Sequence, residues 1–275
     1  MTTDIAVDCR TCPAYNAAAL KKLGMNVEEA DYIIALAGNP NTGKSTVFNA
    51  LTGLRQHVGN WPGKTVARAE GGLIFNDNQY KLVDLPGTYS LLSTSTDEEI
   101  ARDFLLFGQP SVTVVVVDAT RLERNLNLTL QILEITESVV VALNLIDEAQ
   151  RHGIEVNERQ LSRQLGVPVI PMVARRKQGI PELLQAIEAV AKGDYVTRPH
   201  RTRQYDTRLE KALEAMVQTI EQTYPDLPNP RWVALRLLDG DASIEEAIRE
   251  HRLGDLSRGK SVVPIADTIS LEVVS

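Results

Sequence analysis

The run Gly38-Asn39-Pro40-Asn41-Thr42-Gly43-Lys44-Ser45-Thr46 constrains this chain more than any other, because it fits the pattern G-x-x-x-x-G-K-[ST] whose backbone N–H groups close around a polyphosphate. Such a loop works only between a buried strand and a helix. The preceding Tyr32-Ile33-Ile34-Ala35-Leu36-Ala37 is continuously apolar, as a strand covered on both faces requires, and residues 45–54 are predicted as a helix closed by Gly53. In a loop of this kind Lys44 reaches the β and γ phosphates and the Ser45 hydroxyl ligates Mg²⁺.

From Asp31 onward, strand and helix patterns alternate, which predicts an α/β fold of the doubly wound P-loop type. Strands are predicted over 66–75 and 79–83, joined at Asn76-Asp77-Asn78 as a hairpin that gives the sheet one antiparallel edge. Further strands at 112–118, 139–145 and 167–173 make a mostly parallel, six-stranded sheet, with helices at 95–107, 125–136, 158–165 and 180–191. After Lys192-Gly193 the strand patterns stop. Leu209, Leu213, Met216, Val217 and Ile220 fall on one helical face, 232–238 suggests a second helix and Ser243 opens a third, so a small all-α domain follows. The expected division is an N-terminal extension over 1–31 with a small helix at 16–23, a nucleotide-binding domain over 32–193 and a helical domain over 194–275, with no assignment from 252 on.

A phosphate loop alone does not separate ATP from GTP. The residues that decide are Asn144-Leu145-Ile146-Asp147 at the end of a buried strand, where the Asp147 carboxylate can accept hydrogen bonds from guanine N1–H and the exocyclic amino group. Adenine offers neither donor, and a buried carboxylate left unpaired is costly. Val173-Ala174-Arg175 follows the last strand, where a backbone N–H can meet guanine O6. Asp84-Leu85-Pro86-Gly87 fits D-x-x-G: Asp84 would hold the Mg²⁺ shell through water and the Gly87 N–H would donate to the γ-phosphate. Thr65, in the Gly59 to Val66 loop that also carries Gly63 and Lys64, is the expected second hydroxyl ligand of Mg²⁺, and that loop is expected to order only around a triphosphate.

Composition removes other classes. A formal charge of −7 on 275 residues, with no concentrated basic stretch, argues against a nucleic-acid partner. The longest apolar runs, 112–117 and 139–145, fall far short of the roughly 18–20 residues that span a bilayer, and the start Met1-Thr2-Thr3-Asp4 lacks the marks of a secretory signal, so a soluble, cytoplasmic chain is expected. Cys9 and Cys12 form a single C-x-x-C pair without the second pair a closed zinc site needs. A reduced pair is the favoured reading, and a half-site completed by another chain stays open. His57, His152, His200 and His251 are too scattered to complete it.

Together these elements resemble the five motifs of small GTP-binding domains. The stretch from Gly38 to Gly53, the loop Val58-Gly59-Asn60-Trp61-Pro62-Gly63-Lys64-Thr65-Val66, and Asp84-Leu85-Pro86-Gly87-Thr88-Tyr89-Ser90-Leu91 more narrowly resemble the cytoplasmic G domain of the FeoB ferrous iron transporters. The resemblance covers about residues 32 to 192. It implies GTP or GDP as ligand, GTP hydrolysis at a slow intrinsic rate, and a helical domain that leads to a membrane-embedded iron permease at the bacterial inner membrane. Thr88 and Tyr89 stand where many regulatory GTPases place a water-orienting Gln. The family's answer is a K⁺ ion, held by an Asn corresponding to Asn41 with backbone carbonyls corresponding to those of Gly59 and Trp61, and the resemblance makes Asn41, Lys44, Thr65 and Gly87 the catalytic set. Faster hydrolysis in K⁺ than in Na⁺ follows.

Arg175, Arg176 and Lys177 read as a solvated charged face and His57 as ordinary loop surface. Two other functions compete: a soluble GTPase of ribosome or tRNA maturation, disfavoured by the missing basic RNA-binding module, and a guanine-nucleotide sensor that scarcely turns over. Homo-oligomerisation is left open.

Overall fold

The computed structural model describes residues 30–53, 56–61, 64–92, 95–199, 206–225 and 227–249. Cys9, Cys12, the expected helix at 16–23, Gly63, His200, His251 and everything beyond 249 lie outside the described residues. The strands are β1 (Tyr32–Gly38), β2 (Gln56–Asn60), β3 (Ala67–Phe75), β4 (Asn78–Asp84), β5 (Val112–Asp118), β6 (Val139–Asn144) and β7 (Val169–Pro171). They form one sheet in the order β2-β3-β4-β1-β5-β6-β7. Everything from β4 to β7 is parallel, while β3 runs antiparallel to both β4 and β2. Parallel strands must be buried on both faces, and β5, Val-Thr-Val-Val-Val-Val-Asp, meets that demand with every residue buried.

The sheet therefore has seven strands, one more than the sequence pattern predicts. The addition is β2, which the sequence reading gives no element and whose last two residues, Gly59 and Asn60, fall in the loop expected to order only around a triphosphate. Gln56-His57-Val58-Gly59-Asn60 carries no alternation of apolar and polar residues, because as an edge strand it is held by backbone pairing to β3 and buries none of the residues 57–60; Val58 is 60% exposed. The β3–β4 turn is the two residues Asn76 and Asp77, both at positive φ (47° and 63°), as the twist of a tight hairpin requires. The last strand is shorter than expected, since Pro168 precedes it and Pro171 ends it.

Helices cover both faces: α1 (Lys44–Thr52), α2 (Thr96–Gly108), α3 (Leu122–Ile135), α4 (Ile146–Arg151), α5 (Glu158–Leu165) and α6 (Ile180–Ala191). Period-2 alternation divides β1 between two cores. Ile34 and Leu36 pack with Val47, Phe48, Leu183 and Ile187 of α1 and α6. Ile33, Ala35 and Ala37 face Phe104, Leu128 and Ile132 of α2 and α3. Ser95 caps α2 by accepting the Glu98 N–H at 3.3 Å, and the acidic first turn Asp97-Glu98-Glu99 complements the helix dipole.

Three more helices follow, α7 (Thr207–Thr223), α8 (Pro230–Leu238) and α9 (Ala242–Arg249). Their buried residues Leu213, Ile220, Trp232, Val233 and Ile244 pack among the three helices and run on into the core of the α2/α3 face. Among the described residues no helix is long and apolar enough to cross a membrane.

Candidate nucleotide site

The carboxyl ends of β1, β4 and β6 bring the sequence motifs to one edge of the sheet, where open α/β sheets bind ligands. The chain leaves β1 at Gly38, where an added Cβ would lie 2.7 Å from the Val116 carbonyl oxygen, so only glycine passes β5 this closely. Asn41 follows in the left-handed region (φ 66°), and Gly43 starts α1 at φ 86° with no side-chain cap. A helix start without a cap keeps its N–H groups for another acceptor, and those groups with the helix dipole suit an anion. The Thr42 hydroxyl donates to the Asn39 carbonyl at 3.0 Å and stiffens the loop. Asn39 is buried and its Nδ2 has no partner.

On the guanine side, Asn144 is the central residue. Its Nδ2 donates to the Thr42 carbonyl at 2.9 Å while its Oδ1 accepts the Ala174 N–H at 3.0 Å, so one buried amide joins the phosphate loop to the loop after β7. The sequence pattern includes Asn144 but gives no hint of this bridge. A Cβ at Gly43 would lie 2.3 Å from the same Nδ2. Leu145 takes φ 63° and turns the chain into α4, placing Asp147 in the first helical turn. The Asp147 side chain is 14% exposed; its Oδ2 accepts from Arg175 Nη2, with Arg176 Nη2 at 3.7 Å, while its buried Oδ1 has no partner. Burial works against the charged carboxylate, but the Arg175 hydrogen bond and the charges of Arg175, Arg176 and Arg151 outweigh it and hold Asp147 below the usual carboxylate range.

Arg175 is thus more than a solvated face: it holds Asp147 and reaches Glu148 at 3.5 Å. Val173 and Ala174 commit their N–H groups to Gln178 and Asn144, which leaves Arg175 as the backbone donor of that trio.

On the phosphate side, charges face each other. Lys44 donates to Asp84 at the end of β4. Burial is the larger influence on Asp84 and pushes its carboxyl up, with Lys44 only partly offsetting it. Gly87 lies beside Pro40, its position for a Cβ 3.5 Å from the Pro40 Cα, so the D-x-x-G loop rests on the phosphate loop. Thr88 is buried and the Tyr89 ring lies under the Arg124 guanidinium, 4.3 Å from its centroid; neither is presented as a replacement for the water-orienting Gln. Ser45, Thr46 and Thr65 are exposed.

Gly59 pairs with Arg68 in the β2–β3 ladder. The Trp61 ring is buried edge-on to Phe104 (5.5 Å between centroids, 72° between planes), with Arg68 over its face at 5.4 Å. Its carbonyl accepts the Lys64 N–H at 3.0 Å, and the Lys64 ammonium pairs with Glu99 of α2 at 3.2 Å. His57 is exposed on β2, paired with Glu70.

The partnerless Oδ1 of Asp147, the partnerless Nδ2 of Asn39 and the loop in which Gly43 admits no Cβ fit a nucleotide. The profile of the family described as ferrous iron transport protein B matches residues 32–187, and that of the FeoB cytosolic helical domain matches 205–266. The Fe(2+) transporter FeoB of Salmonella typhimurium is 45% identical over 212 residues, 76% of this chain and 27% of its own length. This chain therefore spans about a quarter of the curated relatives it matches. The cytosolic domain of L. pneumophila FeoB superposes with a TM-score of 0.72 at 35% identity, covering 83% of this chain and 90% of that one. The T. maritima FeoB cytosolic domain in a GDP form superposes at 0.72 with 37% identity, covering 81% and 86%.

Proposed function

This chain belongs to the FeoB family of ferrous iron transport proteins, and from that premise we propose that it binds GTP, hydrolyses it slowly to GDP and phosphate, and regulates Fe²⁺ passage through a membrane permease portion of the same transporter. The carrying observation is the Asn144 bridge, which fixes the phosphate loop and the base-side loop to each other and leaves Asp147 Oδ1 buried without a donor. Guanine N1–H supplies that donor and adenine does not. The T. maritima relative with GDP adds support.

In this reading residues 38–46 wrap the phosphates by their N–H groups, Lys44 exchanges Asp84 for the β and γ phosphates, and Arg175 supplies the backbone donor to guanine O6. Ser45 and Thr65 hydroxyls, with Asp84 through water, hold Mg²⁺; Asn41 with the Gly59 and Trp61 carbonyls holds K⁺. Held by these residues, Mg²⁺ and K⁺ would supply positive charge beside the transferred phosphoryl group. Gly87 donates its N–H to the γ-phosphate and so registers whether that group is present. The division of the chain at 193/194 and its place on the cytoplasmic side of the membrane belong to the same reading, which is tested by phosphate release from GTP and ATP in K⁺ and in Na⁺. GTP-selective, K⁺-accelerated release is the expected result; equal rates with ATP would overturn the assignment, and equal rates in the two salts would remove the K⁺ site alone.

A further inference from the structure

Helix α3 meets the loop after Gly87 at two side chains, Arg124 over the Tyr89 ring and Gln131, and it meets the helical part of the chain at its last turn. Near its end, Gln131 Oε1 accepts the Leu91 N–H at 2.7 Å, four residues after Gly87. One turn further, Asn229 Nδ2 donates to the Glu134 and Ile135 carbonyls at 2.7 and 3.0 Å. These are among the last carbonyls of a helix, which have no partner within it, so the bond fills a need that the fold would otherwise leave to water. The other end of the same amide caps α8, with Oδ1 accepting the Trp232 N–H at 3.1 Å. Asn229 holds a left-handed backbone (φ 52°) to make both contacts, a conformation that asparagine tolerates better than most residues.

Gln131, Glu134 and Ile135 stand three and four residues apart and share a face of α3. Between the two contacts lies a groove of about 420 Å³, lined by Leu91, Leu92, Gln131, Glu134, Trp232 and Leu235 among others. A loop in direct contact with the phosphate loop, a helix and a second helical layer are therefore joined in series.

We propose that Asn229 is a positioning residue of the nucleotide cycle: it fixes α8 to the end of α3, so that a change in the loop from Asp84 to Leu91 is carried through Gln131 to Trp232. The inference rests on the reading that Gly87 registers the γ-phosphate. Neither Asn229 nor Gln131 touches nucleotide, and both act through α3.

The sequence contains two tryptophans, which makes the test direct. The full chain labelled with 5-fluorotryptophan gives two ¹⁹F signals, assigned by W61F, and both are recorded with Mg²⁺ and either GDP or a non-hydrolysable GTP analogue. The Trp232 signal is expected to differ between the two nucleotides. Asn229→Asp keeps an acceptor to cap α8 but has no donor for the α3 carbonyls, and it should abolish the difference. Gln131→Met, at the other contact, should abolish it as well without touching α8. A Trp232 difference that persists in both variants, or that is absent from the unmodified chain while calorimetry shows both nucleotides bound, overturns the route and leaves the proposed function standing. Calorimetry showing no guanine nucleotide bound overturns both.

Discussion

The two halves of the candidate site reach the same sheet edge by opposite means. On the guanine side, geometry is set by buried atoms with one arrangement: the Asn144 amide between Thr42 and Ala174, and the left-handed Leu145 that turns Asp147 into place. On the phosphate side, the side chains that would meet ligand meet one another instead. Lys44 faces Asp84, Lys64 faces Glu99, and Trp61 is anchored against Phe104. A ligand entering the first half finds an acceptor waiting, whereas in the second it must replace existing partners. Discrimination between bases needs a fixed template and a switch needs two states of similar free energy, so the division follows the work each half would do.

The comparison breaks most readily at Asp147. In Asp147→Asn two charge-assisted hydrogen bonds to guanine are lost, at about 1.5–3 kcal/mol each, so GTP affinity measured by calorimetry should fall by roughly 10²- to 10⁴-fold. The new amide donor matches the C2 carbonyl of xanthine, and xanthosine triphosphate should gain. On the other half, Trp61→Ala removes a ring only 3% exposed and should cost about 3 kcal/mol in urea unfolding without nucleotide, since it is packing that holds this segment. A loss under 1 kcal/mol would show that the anchor is idle until ligand arrives. Asn41→Ala should reduce the ratio of phosphate release in K⁺ to that in Na⁺ by about tenfold while leaving GDP affinity nearly unchanged; this is a smaller effect, about 1.4 kcal/mol, confined to the phosphate half.

The smallest expected effect is a pH slope. Burial raises the Asp84 carboxyl above its unfolded value, so the folded, ligand-free chain binds that proton more tightly than the unfolded chain does. Stability from this group is present in full below the unfolded pKa of about 4 and is lost as pH rises through the higher folded value. Urea unfolding across that window should show a decline that Asp84→Asn lacks. An unchanged slope would mean that Lys44 compensates the burial fully.

The sheet, the motifs and most helices were legible because they follow from periodicity and from the few residues that phosphate and guanine chemistry accept. Helices 158–165 and 180–191 were placed to the residue, each bounded by a glycine or asparagine at the cap. What stayed hidden was set by contacts distant in sequence. Strand β2 carries no pattern because it buries none of the residues 57–60. Arg175 read as surface because its partner, Asp147, is 28 residues away. The Asn144 bridge and the Asn229 bond to α3 likewise join residues 102 and 95 apart, and a local pattern has no term for them. The helical part packs its apolar stripes among its own helices, and what the sequence did not show is that this core runs on into the α2/α3 face.

The crowding at Gly43 sets a rule for sequence drift. The space that a methyl group would need at 43 is already filled by the amide of Asn144, so alanine there demands a shorter residue at 144, and a shorter residue at 144 unties two loops before any alanine has arrived. Even the double step leaves alanine at φ 86°, a backbone that L side chains rarely adopt, so space and conformation both hold glycine at 43. Shape thus ties together two residues 101 positions apart, and the amide that joins two loops also fills the room beside the glycine.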